Sequence, residues 1–91
     1  RLLSDPQTSR AAIDACQRAT DLLVAASPAD RRTDGFRTLR KSLGYCWSVA
    51  VASDPERGLP VFLALPTDDR DVAWVVRENR SKKRLAGLLP N

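Results

Sequence analysis

Apolar residues recur along this chain at three- and four-residue intervals, and hardly anywhere at intervals of two. That is the pattern of helices with one buried face, whereas a half-buried strand would alternate. No Asn-Gly or Asp-Gly pair separates two apolar runs; Asp34-Gly35 opens a helical pattern instead.

The spacing predicts four helices. The first covers about residues 6–26. Ser4 or Asp5 can cap it, and Pro6 suits the first turn, where its missing N–H costs nothing. Its stripe is Ile13, Cys16, Thr20, Leu23 and Val24. Ser27-Pro28 stops it, and residues 27–33 form a polar loop carrying Asp30, Arg31 and Arg32. The second helix runs from Thr33 or Asp34, either of which can serve as N-cap, to about Ala52. Its stripe is Phe36, Leu39, Leu43, Cys46, Trp47 and Ala50. Tyr45, Val49 and Val51 then spread apolar character around it, so it must be covered on more than one side. Asp54-Pro55 ends it. A short third helix begins near Gly58-Leu59-Pro60, buries Leu59, Phe62, Leu63 and Leu65, and stops at Pro66. The fourth extends from Asp69 or Arg70 to about Leu88, with Pro90 just beyond. Val72, Val75, Val76 and Asn79 make its inner stripe, and Arg77, Arg80 and Arg84 lie on another face.

Short connections make successive helices antiparallel neighbours. A faint internal repeat appears at an offset of 36: Asp34, Phe36, Leu39 and Leu43 map onto Arg70, Val72, Val75 and Asn79. This period falls in the range of two-helix solenoid repeats.

Within Leu39 to Leu85, the runs LGYCWSVAVASDPERGLPVF and DRDVAWVVRENRSKKRL resemble a recurrent segment of HEAT-repeat proteins. The first looks like a repeat's opening helix, an Asp-Pro turn and a short second helix. The other looks like the first helix of a terminal repeat, with Trp74-x-x-Arg77-Glu78-Asn79 its most distinctive part. In this phase the helix at 6–26 is the second helix of an earlier repeat. The resemblance covers about half of the chain. It implies an all-α, four-helix αα-hairpin solenoid fragment, a macromolecule-binding surface and no chemistry. HEAT-like repeats also occur in DNA alkylation repair proteins, where concave basic surfaces hold duplex DNA.

Composition narrows the functional classes. The 91 residues fit one domain, and 43% apolar content is too high for disorder. The chain opens at Arg1 rather than methionine, which reads as a trimmed, tagged or incomplete chain. Roughly three or more repeats are needed to stabilise a solenoid, so further repeats or self-association through exposed faces are expected. No recognisable signal peptide and no run of roughly 20 apolar residues occurs, which makes a cytoplasmic, non-membrane protein the default expectation. A net charge of +4 permits an acidic partner without demanding one.

The candidate chemistry is sparse. Histidine is absent, which removes the commonest general base and metal ligand. Cys16 and Cys46 are isolated in apolar patterns and read as free buried thiols, with a single disulfide as the alternative; two isolated cysteines cannot build a cysteine-rich zinc site. Glycines stand singly at 35, 44, 58 and 87, so no phosphate-cradling loop exists. Asp68, Asp69 and Asp71 sit at a helix start, where capping explains them better than acid–base work. The inventory argues against an enzyme, a metal site and a cofactor.

Binding residues are a different matter. Arg77, Arg80, Lys82, Lys83 and Arg84 form the densest charge feature. They read either as a phosphate grip or as cations that favour a helix C-terminus. Trp74 either packs on a neighbouring helix or stacks with Arg77, and a Trp among arginines is also the composition of an interface hot spot. Trp47 reads as core, and Tyr45 as core with a wet tip. Asn79 occupies an apolar stripe position, so its amide must find partners; the expected ones are backbone groups of an inter-helix loop. The resulting expectation is a non-catalytic scaffold that binds a protein partner. Nucleic acid is the alternative partner, and a structural domain of a larger enzyme is a third reading. If the basic residues of the fourth helix align with Arg37, Arg40 and Lys41 of the second, the nucleic-acid reading gains.

Overall fold

One helix touches every other element of this structure. That helix is α2 (Asp34–Ser53), and around it lie α1 (Pro6–Ala25), α3 (Pro55–Leu63), α4 (Arg70–Arg80) and α5 (Lys83–Ala86). A single 3-10 turn, Asp30–Arg32, joins α1 to α2. The computed structural model describes residues 6–89, and no strand occurs among them. The caps assigned to Ser4 or Asp5 and the stop at Pro90 lie outside the described residues. None of the described helices is long and apolar enough to cross a membrane.

The helix starts follow local chemistry. Thr33 caps α2, its side chain accepting from the Phe36 N–H at 3.2 Å. Asp69 caps α4, accepting from the N–H groups of Asp71 and Val72. These two caps are 36 residues apart, the offset of the faint sequence repeat. Asp54 ends α2 and also caps α3, with Pro55 in the first turn, so a single residue links them. The third helix therefore starts earlier than the Gly58-Leu59-Pro60 signal predicts. Pro60 lies inside it, and Leu63 is 49% exposed rather than buried.

Pairings across α2 fix the directions. Thr20 of α1 meets Trp47, while residues 12–16 lie beside 45–50, so α1 and α2 are antiparallel. On α4, Asp71, Trp74 and Asn79 meet Arg40, Gly44 and Ser48 in turn, so α4 runs parallel to α2. The molecule measures 38 × 29 × 19 Å, and its least dimension is about two helix diameters. It is a two-layer slab.

The core fills the inner sides of these helices. Trp47 is fully buried, its ring centroid 6.0 Å from that of Phe62. Its Nε1–H donates to Thr20 Oγ1 at 3.0 Å, and the Thr20 hydroxyl donates to the Cys16 carbonyl at 2.7 Å. Leu23, Leu43, Val51, Val72, Val75 and Leu85 complete the centre. Val24 differs from expectation: at 38% exposure it faces outward on α1. Gly58 lets α3 approach α2 closely, since a Cβ there would stand 3.0 Å from the Val51 Cα, and backbone cannot swing aside.

Two polar devices hold α4 on α2. The first is Asn79, which is fully buried. Its Nδ2 donates to the carbonyls of Leu43 and Val75 at 2.8 and 2.7 Å, and its Oδ1 accepts from the Ser48 N–H at 2.8 Å. Val75 is on its own helix, and the other two partners lie in the middle of α2 rather than in a loop. A side-chain amide in an apolar stripe must match a backbone donor and acceptor at the spacing of its own two ends, and a turn of the packed helix supplies both.

The second device is a clamp of arginines and aspartates. All five N–H donors of Arg31 are used: Nε to the Ala26 carbonyl, Nη1 to Asp69 and Asp71, and Nη2 to the Val24 carbonyl and Asp69. Arg40 Nε donates to Asp71 Oδ1 at 2.8 Å. The hydrogen bond from Arg31 lowers the Asp69 pKa below the usual carboxylate range, and the two carboxylates make Arg31 harder still to deprotonate. The clamp thus ties the end of α1 and the 3-10 turn to the start of α4.

Two outcomes follow. Asn79→Leu strands the Ser48 N–H and the Leu43 carbonyl, and is expected to destabilise the fold by about 1–3 kcal/mol in denaturant melts; an unchanged midpoint would contradict the role given to Asn79. Because the Asp69 pKa is depressed on folding, its contribution is present above about pH 4 and is lost as pH falls through the folded value. Thermal melts should therefore show the wild type losing stability in that acid range, and Asp69→Asn starting lower with a flatter pH dependence.

Candidate macromolecule-binding surface

The remaining surface of α2 lies between two grooves, with Tyr45 on the ridge that divides them. Tyr45 is 51% exposed, because its position lies beyond the flank of α2 that the core covers.

The first groove, of about 310 Å³, runs between α1 and α2. It is lined by Ala12, Ala15 and Cys16 on one side and by Tyr45, Cys46, Val49 and Ala50 on the other. Methyl groups, thiols and one aromatic ring make up these walls. Leu22, 68% exposed, extends the same flank of α1. Cys16 and Cys46 are both free. Burial pushes the Cys16 thiol up to about 11, helped by neighbouring Cys46, and burial also raises Cys46. Both are thus protonated near neutral pH and act as small apolar side chains rather than nucleophiles.

The second groove, of about 240 Å³, lies between α2 and α4. Lys41, Gly44 and Tyr45 form one wall, and Trp74, Glu78 and Lys82 the other. Trp74 sits here because position 44 has no side chain: a Cβ on Gly44 would stand 3.1 Å from the edge of the indole. Its ring is stacked by the Arg40 guanidinium, 3.8 Å from the centroid. The cation over Trp74 is thus Arg40 of the neighbouring helix rather than Arg77. Asp71 orients Arg40 for this contact.

The basic cluster is divided by a break in the chain. The fourth helical pattern does not continue to Leu88: α4 stops at Arg80, and α5 begins at Lys83. The interruption is in the backbone: Ser81 is the C-cap of α4 and Lys82 turns extended (φ −75°, ψ 135°), while the Ser81 hydroxyl donates to the Glu78 carbonyl at 2.7 Å. Arg77 and Arg80 are exposed in the last turn of α4, where the helix dipole favours them. Lys82 lines the second groove, Lys83 is exposed, and Arg84 reaches α2, where Nη1 lies 3.4 Å from Ser48 Oγ.

The helix-2 cations align only in part with this cluster. Lys41 shares a groove with Lys82, whereas Arg40 is engaged by Asp71 and Arg37 lies 3.3 Å from Asp34. Glu78 stands in the same groove as the two lysines. A short positive strip results, rather than one continuous positive face.

The sequence reading missed the first groove and the role of Arg31. The groove was hidden because Ala12 and Ala15 resemble ordinary helix formers. A signal for it existed in the small and apolar residues on the α1 flank beside the core stripe. No local signal marks Arg31, whose partners lie 38 and 40 residues away. Among the described residues, no cluster of three or more His, Cys, Asp or Glu side chains could hold a metal ion. Set beside protein-family models, curated proteins and solved structures, the chain matches none of them.

Proposed function

We propose that this chain is a non-catalytic, HEAT-like scaffold module that binds a protein partner through the α1/α2 face. The observation that carries the reading is the open groove walled by Ala12, Ala15, Cys16, Tyr45, Cys46, Val49 and Ala50. A phosphate or a polar substrate would lose hydration there and find no hydrogen-bonding side chain except the rim hydroxyl of Tyr45. An apolar protein surface loses nothing comparable. Tyr45 and Leu22 stand exposed beside the groove, as anchors at protein interfaces do. The HEAT-like part of the proposal is supported by the parallel α2 and α4 and by their caps 36 residues apart.

The second reading, a nucleic-acid-binding module, is favoured by one observation: Lys41 and Lys82 flank the exposed Tyr45 and the edge of Trp74. Against it stand Glu78 in the same groove and the neutralised Arg31 and Arg40.

Two measurements decide between them. Immobilised wild-type protein is expected to retain a protein partner that Ala15→Glu, a change on an exposed site of α1, releases. Fluorescence anisotropy with labelled duplex and single-stranded DNA is expected to show only weak binding at physiological salt. Tight DNA binding with a log–log salt slope of about −0.9 per neutralised phosphate, abolished by Arg80→Glu, Lys83→Glu and Arg84→Glu together, would replace the protein-partner reading.

A further inference from the structure

The clamp that ties α1 to α4 also brings two further arginines to one place. Arg31 and Asp69 pair as a fork, Nη1 to Oδ1 at 3.1 Å and Nη2 to Oδ2 at 2.9 Å. The residue after each is an arginine: Arg32 ends the 3-10 turn, and Arg70 opens α4. Both line an open cavity of about 810 Å³, together with Ala26, Pro28, Arg31 and Asp69. Both are exposed, and neither guanidinium has a hydrogen bond or an ion pair among the described residues.

The charges at this cavity do not cancel. Both oxygens of Asp69 are engaged by Arg31, and Oδ1 also accepts from the Asp71 and Val72 N–H groups. Asp71 is shared between Arg31 and Arg40. These two arginines and two aspartates neutralise one another. Asp30 and Asp68, each two residues before Arg32 or Arg70, are exposed and line no part of the cavity. Arg32 and Arg70 are therefore like charges held at one cavity with no carboxylate there left to answer them. Such charges repel, and an anion bound between them replaces repulsion with attraction.

We propose that this cavity binds a phosphate monoester carried on a small apolar or aromatic body. A guanidinium fork matches phosphate oxygens in bidentate pairs. A monoester carries roughly two negative charges near neutral pH, one for each arginine, whereas a carboxylate carries one. The volume exceeds what a bare phosphate fills and lies in the range of small-molecule sites, about 300–1,000 Å³. Ala26 and Pro28 supply carbon surface for the body of the ligand. The end of α4 is not what holds the anion, because Asp69 already occupies its first N–H groups. The fork fixes the backbone on which both arginines stand, which lowers the ordering cost of binding. This cavity shares no lining residue with the α1/α2 groove, so the inference stands independently of the scaffold reading.

The test titrates the whole isotope-labelled chain with phenyl phosphate and follows backbone amide NMR shifts. Saturable millimolar binding is expected, moving the amides of residues 26–32 and 69–72 and weakening with added salt. Benzoate should bind at least about tenfold more weakly, and phenol should not bind. Arg32→Gln with Arg70→Gln should weaken phenyl phosphate at least about tenfold. Its circular-dichroism spectrum should be unchanged, since neither side chain is bonded within the fold. Arg77→Gln with Arg80→Gln, at the far end of α4, should leave binding as it is. Absence of shifts at these amides, or equal loss of binding in the Arg77→Gln, Arg80→Gln variant, would overturn the site. Benzoate binding as tightly as phenyl phosphate would overturn the choice of phosphate. Inorganic phosphate binding as tightly as phenyl phosphate would overturn the organic body and leave the free anion as the ligand.

Discussion

The carboxamide of Asn79 is the contact on which the arrangement of helices depends. An amide buried without partners would cost several kcal/mol, so α4 can lie on α2 only in the register that matches Asn79 to the Ser48 N–H and the Leu43 carbonyl. Apolar side chains tolerate sliding; a donor and an acceptor at fixed separation do not. Once this register is set, Trp74 falls over Gly44, Asp71 falls beside Arg40, and Arg84 reaches Ser48. The second groove is a consequence of the same choice, because its walls are the facing residues of that pairing.

The Arg31 clamp works at the other end of α4. A guanidinium offers five donors in a rigid plane, and here two aspartates and two backbone carbonyls receive them all. Asp69 accepts from the first N–H groups of α4 as well, so one carboxylate both starts the helix and anchors it. This use of charge has a consequence for binding. Arg31 and Arg40, two of the cations that sequence counting assigns to a positive surface, are occupied internally. What remains of that surface is a shorter strip of lysine and arginine, which the Tyr45 ridge separates from the apolar groove.

The all-helical class, the cap at Thr33 or Asp34, the inner positions Val72, Val75 and Asn79 and the need to cover α2 on several sides were all legible in the sequence, because each rests on spacing within a few residues. The misreadings have physical reasons as well. Gly58-Leu59-Pro60 looked like a helix start because proline favours first turns, yet Asp54-Pro55 offered the same signal one turn earlier with a better cap. The spacing carries the fourth helix past Arg80 because residues 81–86 hold no glycine or proline; the break comes from the extended backbone of Lys82, which a helical pattern of side chains does not register. Of the two readings of Trp74, packing on a neighbouring helix holds, since it lies over Gly44 of α2; stacking with Arg77 does not, because the guanidinium over its ring is that of Arg40.

By itself the sequence determined that this chain forms amphipathic helices with short connections, and that histidine chemistry and a cysteine-rich zinc site are absent from it, since composition and local periodicity are properties of the linear chain. Only the tertiary structure decided that α4 lies parallel on α2, that Arg31 and Arg40 are consumed by Asp69 and Asp71, and that Ala12 and Ala15 face Val49 and Ala50 across an open groove. These are contacts between residues roughly 30–40 positions apart. Their selection depends on the simultaneous satisfaction of buried polar groups and close packing, and no local window of sequence contains both partners.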